Sequence, residues 1–288
     1  MKADLHLHST ASDGLLSPQE VVARAAGLGF SVIALSDHDC VDGVYEAQQA
    51  GKKLGVKVIP AVELSCGGDR EIHILGYGFD PENSALTEFC AERAHQRIAR
   101  TEKMVRRLCE IGKPVDLERV RALSGGVMGR PHVARALVEA GHVRSVNEAF
   151  ERFLIPGKPG YEPKENVSVR EAVELIAHAG GVAVLAHPME MRRGEMVIEA
   201  LVHEWKQQGL AGIEVWHPSA QNNHARFLLG LARREGMLVT GGSDFHGKDT
   251  HRGDIGEGLE RWTTAEDDVR ALMRAVSAAC AGSRRYRR

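Results

Sequence analysis

The run Asp4-Leu5-His6-Leu7-His8-Ser9 alternates in character, so an extended backbone sends His6 and His8 to one side and Leu5 and Leu7 to the other. Two imidazoles then share one space, while the leucines face covering helices. Those imidazoles need something to bind, and the chain supplies candidates at intervals. They are Asp13, Ser36-Asp37-His38-Asp39, Glu63, His73, Ala186-His187-Pro188, Trp216-His217 and Gly242-Ser243-Asp244-Phe245-His246. Nearly every one falls where an apolar run ends.

Between these points the chain has a βα rhythm. Ser17-Pro18-Gln19-Glu20 has the form of a capping box with proline at the first helical position, and Val21, Val22, Ala25 and Leu28 give that helix its apolar face. A buried strand is expected over 31–35, a helix over 44–54, and a strand over 56–62 that ends in Glu63. A further strand over 71–77 carries His73 with no helix before it, so a distortion is expected there.

From Asn83 a long charged helix should run to about 111, followed by shorter helices near 117–123, 131–140 and 146–153. The chain returns through the turn-rich Pro156-Gly157-Lys158-Pro159-Gly160-Tyr161. Residues 83–163 are therefore read as an inserted helical subdomain that caps the substrate, and 1–82 with 164–288 as the main domain. The rhythm resumes at Ser168-Val169-Arg170-Glu171, with strands over 182–186, 212–216 and 237–240 and a last helix near 265–279. About seven strands in this order predict an α/β fold, a distorted (β/α)7 barrel. The basic tail of Arg284, Arg285, Arg287 and Arg288 is read as frayed and solvated.

In such a barrel the strand C-termini converge on one rim. His6, His8, Asp13, His38, Glu63, His73, His187, Asp244 and His246 would collect there, a nitrogen and oxygen donor set without sulfur that suits Mn²⁺, Fe²⁺ or Zn²⁺. The set exceeds what one tetrahedral ion can use, so two or three divalent ions are expected. Glu63 and Asp244 are the natural bridges, since a carboxylate has two oxygens. A lone histidine is more often a cap or core residue than a ligand. His95, His142, His178, His203, His224 and His251 are read that way, and His132 is left open. No Gly-x-Ser-x-Gly elbow competes, because Gly241-Gly242-Ser243 belongs to the ligand run.

A net charge of −2 argues against a surface that coats nucleic acid generally, although a local basic patch remains compatible with it. Five cysteines without a Cys-x-x-Cys pair, and no apolar run at the N-terminus, predict packing thiols in a reducing, cytoplasmic setting without a membrane span.

The motifs quoted above resemble those of the PHP family, named for polymerase and histidinol phosphatase, over most of the chain. Within it, Asp13-Gly14, the helical insertion and Gly129-Arg130-Pro131-His132-Val133-Ala134-Arg135 resemble the stand-alone branch that includes nucleoside 3′,5′-bisphosphate phosphatases and 5′→3′ exoribonucleases. The resemblance implies a barrel of the amidohydrolase superfamily type. It implies one ion on His6, His8, Glu63 and Asp244, a second on Asp13, His38 and His246, and a third on His73 and His187 with bridging Glu63. Mn²⁺ is the expected ion, with Fe²⁺ or Zn²⁺ as alternatives. Asp13 stands where some relatives carry histidine. His217 and Asp244 would be catalytic, with His217 facing the substrate phosphate or the leaving group.

The implied reaction is phosphoester hydrolysis with a metal-activated water, a demanding step whose enzymatic acceleration can approach ~10²¹. The expected substrate is a nucleoside 3′,5′-bisphosphate such as adenosine 3′,5′-bisphosphate, losing its 3′-phosphate, together with short RNA. Arg130 precedes a helix-starting proline, where an arginine opposes the helix dipole unless an anion binds as well. Arg135, Lys158, Tyr161 and His217 are further candidates for substrate contact. The alternatives are another phosphomonoesterase, such as histidinol phosphatase, or a non-catalytic metal-stabilised binding module. No obligate protein partner is expected.

Overall fold

The computed structural model describes all residues except 68–71, 125–126, 166, 248–252, 257–263 and 287–288. Seven strands form one sheet in sequence order: β1 (Ala3–Leu7), β2 (Val32–Leu35), β3 (Lys57–Cys66), β4 (Ile72–Tyr77), β5 (Val182–Leu185), β6 (Gly212–Trp216) and β7 (Leu238–Gly241). β1, β2 and β3 pair in parallel, as do β5, β6 and β7, whereas β4 is antiparallel to both its neighbours. Past β7, Phe245 bridges Leu7 and accepts the His8 N–H at 2.9 Å, which nearly closes the sheet into a barrel.

Helices α1 (Pro18–Gly27), α2 (Gly43–Leu54), α7 (Val169–His178), α8 (Glu195–Gln207), α9 (Asn222–Arg234) and α10 (Glu266–Tyr286) accompany the strands. The capping boxes are those legible in the sequence: Ser17 with Glu20 on α1 and Ser168 with Glu171 on α7. Two expectations change. Glu63 lies inside β3 rather than after its end, because β3 runs on to pair with β4, Glu63 opposite Leu75 and Cys66 opposite Ile72. Leu5 and Leu7 also enter different clusters. A register shift between Asp4 and Leu7 leaves Leu7 against α1 and Leu5 with Ala61, Leu75 and Tyr77. Ala61 and Leu75 stand two residues from Glu63 and His73 on their strands, so this apolar layer lies directly beneath those side chains.

Between β4 and β5 the chain builds α3 (Ser84–Glu110), α4 (Leu117–Ser124), α5 (Arg130–Glu139), α6 (Val146–Ala149) and a π-helical turn (Phe150–Leu154). This helical segment has its own apolar cluster, including Met104, Leu108, Val120, Val133, Leu137 and Phe153. The root of α3 belongs to the barrel, since Leu86 and Cys90 pack with α7 and β3 residues. Arg97 adds an ionic tie, its Nη2 2.5 Å from Asp39 Oδ2. Among the described residues no helix is long and apolar enough to cross a membrane.

Tyr77 is fully buried, and its hydroxyl donates to the Leu5 carbonyl at 2.8 Å, joining β4 to β1. Tyr77→Phe leaves that buried acceptor without its donor and should lower unfolding stability by about 1–3 kcal/mol. Urea titration of the metal-loaded protein would show this as a lower midpoint, with metal content unchanged. An unaltered midpoint would mean the bond adds nothing across the barrel.

Candidate metal centre

Glu63 is the hub. Its Oε2 stands 3.2 Å from His6 Nε2, 3.2 Å from His8 Nε2 and 3.0 Å from His38 Nδ1. Its Oε1 stands 2.7 Å from His73 Nδ1 and 2.8 Å from His187 Nε2, which are 3.3 Å from each other. Asp244 Oδ1 closes one group at 3.5 Å from His6 Nε2 and 3.2 Å from His8 Nε2. A second group joins His8, Asp13, His38 and His246, with His246 Nε2 3.2 Å from Asp13 Oδ1. All nine residues expected as ligands therefore come together.

The local backbone explains how. Asp37 accepts from Ser9 N–H (2.8 Å), Ser9 Oγ (2.7 Å) and Ser12 Oγ (2.6 Å), which fixes the turn carrying Asp13. Asp4 accepts from Ser243 N–H, Ser243 Oγ and Gly256 N–H, and so holds the segment that presents Asp244. A side chain at Gly242 would meet His6 Cβ at 2.2 Å, so only glycine lets that segment approach β1. His187 and Asp244 both have left-handed backbones, at φ 25° and 54°. Such conformations cost about 1–3 kcal/mol each and persist where their surroundings impose them.

The donor atoms fit divalent ions. Ligands held about 2.0–2.2 Å from one ion stand roughly 3.0–3.6 Å apart, depending on coordination number. Most of the separations above fall in that interval. His6 Nε2, His8 Nδ1 and Nε2, His38 Nδ1 and Glu63 Oε2 are also buried without a hydrogen-bond partner, which a folded protein rarely tolerates unless another ligand completes them.

Charge follows the same geometry. Burial favours a neutral Glu63, but the imidazoles of His38, His73 and His6 outweigh it and hold the carboxyl well below its usual range. Asp13 is held low against burial by His246 and His38. Burial opposes protonation of His8 and His187, yet the carboxylates of Asp244 and Glu63 beside it carry His8 up to about 9, and Glu63 and Glu190 do the same for His187. At His38 burial wins, and its pKa falls to about 3.

The sequence did not point to Glu214. This fully buried residue on β6 accepts from His6 Nδ1 at 3.0 Å through Oε1 and from the His187 N–H at 2.8 Å through Oε2. It fixes the tautomer that leaves His6 Nε2 to face the other donors. The available signal was a glutamate inside the apolar strand Gly-Ile-Glu-Val-Trp.

His217 is buried, with Nε2 3.4 Å from Asp244 Oδ2, and does not line the cleft above the cluster. Its Nδ1 accepts the Ser219 N–H at 3.1 Å, so the neutral ring carries its proton on Nε2 and donates to Asp244. His132 caps α5, its Nδ1 accepting the Gly129 N–H at 3.0 Å, and burial lowers its pKa to about 4. Among the described histidines His95, His142, His178, His203 and His224 join no ligand group, and His251 lies outside the described residues.

A cleft of about 780 Å³ opens over the cluster. Asp13, His38, His73 and His246 line it together with Arg97, Arg100, Arg130, Arg135, Lys164 and Glu190. Arg130 is the first residue of α5, its guanidinium 5.7 Å from the Phe150 ring centre, and Arg135 donates to the Asp13 carbonyl at 2.7 Å. Lys158 is exposed and Tyr161 packs beside Arg100, and neither lines the cleft. The lysine that does is Lys164, which sequence reasoning missed, as it missed Arg97, Arg100 and Glu190.

The PHP domain model matches residues 4–155. The chain belongs to the PHP family. A 5′-3′ exoribonuclease of Haemophilus influenzae is 36% identical over 85% of this chain and 90% of its own length. A 3′,5′-nucleoside bisphosphate phosphatase of Chromobacterium violaceum is 35% identical over 88% of this chain and 90% of its own. Among solved structures, a Bifidobacterium adolescentis protein described as a metal-dependent phosphoesterase superposes with a TM-score of 0.85 at 32% identity, covering 95% of this chain and 96% of that one. This PHP protein is accordingly a metal-dependent phosphoric ester hydrolase.

Two predictions follow from the cluster. Glu214→Gln offers one donor where two bonds were accepted, and should weaken Mn²⁺ binding about ten- to 100-fold in a chelator competition while the protein stays folded. Unchanged affinity would reduce Glu214 to a packing role. In ion-free protein Glu214, Glu63 and Asp244 hold the His6 pKa well above its usual range against burial, His8 and His187 keep protons below about pH 9, and entering ions must displace them. Binding should therefore release about three protons near neutral pH and tighten as pH rises toward 9. Calorimetry in two buffers of different ionisation enthalpy measures that release, and buffer-independent heats would contradict it.

Proposed function

We propose that the chain removes the 3′-phosphate from nucleoside 3′,5′-bisphosphates, leaving a 5′-nucleotide and phosphate, and breaks the equivalent P–O3′ bond at the 5′ end of short RNA. The observation that carries this reading is the wall above the ligand floor. Arg100, Arg130, Arg135 and Lys164, beside an Arg97 already paired with Asp39, supply more positive charge than one phosphoryl group needs once divalent ions stand beneath it. A substrate with two phosphates uses both. Histidinol phosphate, which carries an ammonium group, would meet repulsion from the same wall. A purely structural metal site would be closed by its own ligands, whereas ligand side chains here line an open cleft.

His6, His8, Glu63 and Asp244 would hold one ion, Asp13, His38 and His246 a second, and His73, His187 and Glu63 a third, with Mn²⁺ as the expected ion and Fe²⁺ or Zn²⁺ as alternatives that this nitrogen and oxygen donor set also suits. When bound, the ions supply an acidified water and neutralise phosphoryl oxygens. The chain's own residues then orient the reaction. His217 holds Asp244 Oδ2 through its Nε2–H, which turns Oδ1 toward His6 and His8. Arg135 steadies the turn at Asp13. Arg130, at the start of α5, holds the phosphate that is not cleaved. The relative named as a bisphosphate phosphatase supports the substrate class. Five free cysteines fit a reducing cytoplasm.

A charge-assisted contact at the uncleaved phosphate is worth about 1.5–3 kcal/mol, or roughly ten- to 150-fold. Arg130→Ala should lower kcat/KM by that factor on adenosine 3′,5′-bisphosphate and only slightly on adenosine 3′-monophosphate. Equal losses on both would move Arg130 to the reacting phosphate. Phosphate released in H₂¹⁸O during a single turnover should carry the label, with none in the 5′-nucleotide. Label on the ribose oxygen would mean C–O cleavage and end the proposed route.

A further inference from the structure

A second cavity of about 320 Å³ adjoins the cleft and shares Arg97, Arg100 and Lys164 with it. Its floor is one face of α3. Arg93, Arg97, Arg100, Lys103 and Arg107 recur at helical spacing of three or four and form a cationic stripe over about 21 Å. Like charges at this spacing repel along a helix unless carboxylates stand among them, and Glu162 and Glu165 line the same cavity. Asp39 pairs with Arg97, and Glu162 pairs with both Lys103 (3.5 Å) and Arg107 (2.8 Å). Main-chain carbonyls take much of the rest: Arg93 donates to Glu165 O at 2.6 Å, Arg100 to Glu162 O at 2.7 Å and Arg107 to Tyr161 O at 3.1 Å. Carbonyl oxygens order the guanidinium groups without cancelling their charge. The stripe is therefore an ordered row of positive charge in which Arg97 and Arg100 stand at the cleft and Arg93, Lys103 and Arg107 lie outside it.

We infer that the second cavity and the α3 stripe hold the backbone phosphates of single-stranded RNA beyond its first nucleotide. The inference rests on the proposed P–O3′ cleavage. Water adds its oxygen to phosphorus, the P–O3′ bond breaks, and O3′ leaves with a proton as the first nucleotide's hydroxyl. The phosphate stays on O5′ of the second nucleotide. In a bisphosphate that ester substituent is only an oxygen, whereas in RNA it is the rest of the chain and needs a way out of the cleft. The second cavity, through its shared basic wall, provides one. Binding of this kind tracks phosphates rather than bases, so it is salt-dependent and tolerant of sequence.

The test uses metal-loaded enzyme with adenosine 3′,5′-bisphosphate and a 5′-phosphorylated tetraribonucleotide, and a matching tetranucleotide whose first linkage is an uncleavable 3′-methylene phosphonate. Lys103 lines the second cavity and not the cleft. For Lys103→Glu, the ratio of kcat/KM on the tetranucleotide to that on the bisphosphate should fall about three- to tenfold, and Lys103→Arg should restore it. Anisotropy with the uncleavable ligand should show the same loss of affinity and a shallower salt dependence. An unchanged ratio, or a tetranucleotide that binds no better than the bisphosphate, overturns the inference and leaves the phosphatase reading intact. If the bisphosphate is not hydrolysed while the uncleavable ligand still binds through Lys103, the reaction assignment falls and the RNA site stands.

Discussion

A carboxylate buried completely among five imidazoles is an expensive arrangement, and the rest of this structure is arranged to sustain it. Glu63, on β3, faces His6, His8, His38, His73 and His187, drawn from β1 and the residue that follows it, from β4, and from the loops after β2 and β5. Burying a carboxylate alone would cost several kcal/mol, so it remains ionised only because positive partners surround it. Protons on some imidazoles provide that charge in the ion-free chain, and divalent ions replace them. The apolar layer of Ala61, Leu75 and Tyr77 beneath excludes water from below. Strength of interaction, choice of ion and pH response thus come from one residue's surroundings.

The reversed strand β4 serves the same end. A parallel neighbour would need a crossover helix, whereas the antiparallel β3–β4 pair places Glu63 and His73 on adjacent strands after a short connection. β4 then releases the chain at the opposite end from the strands on either side of it, and α3 brings it back across the rim. The helical segment therefore arrives over the ligands with Arg97 tied to Asp39 and α5 starting at the cleft.

Much of the site was legible because its residue types are rare in pairs and fall at strand ends. The alternation at His6 and His8 and the run from Gly242 to His246 need no structure to be noticed. What the sequence concealed was support rather than ligation. Glu214 carries no motif, and only the fold brings its two oxygens to His6 and the His187 backbone. Lys158 and Tyr161 drew notice as polar residues near a turn, yet Lys164 is the one that reaches the cleft, because the orientation of a returning loop is a tertiary property. The faces of Leu5 and Leu7 were misjudged for a similar reason, since strict alternation fails at a register shift. His217 was expected to face the substrate, but it lies beside Asp244 and off the cleft, in a position that depends on a turn that Ser219 closes.

The ligands are also far apart along the chain. His6 lies on the first strand and Asp244 just past the seventh, so the groups that combine His8 with Asp244 or with His246 join residues made before the intervening strands to residues made after them. A chain emerging N-terminus first can form the β1–β2–β3 sheet early and must hold His6, His8 and Glu63 together before their last partner exists. During that interval the nascent barrel carries a half-made donor set that could seize whatever cation is most abundant and binds most tightly. The late arrival of Asp244 and His246 thus leaves these ion groups incomplete until the seventh strand has been made.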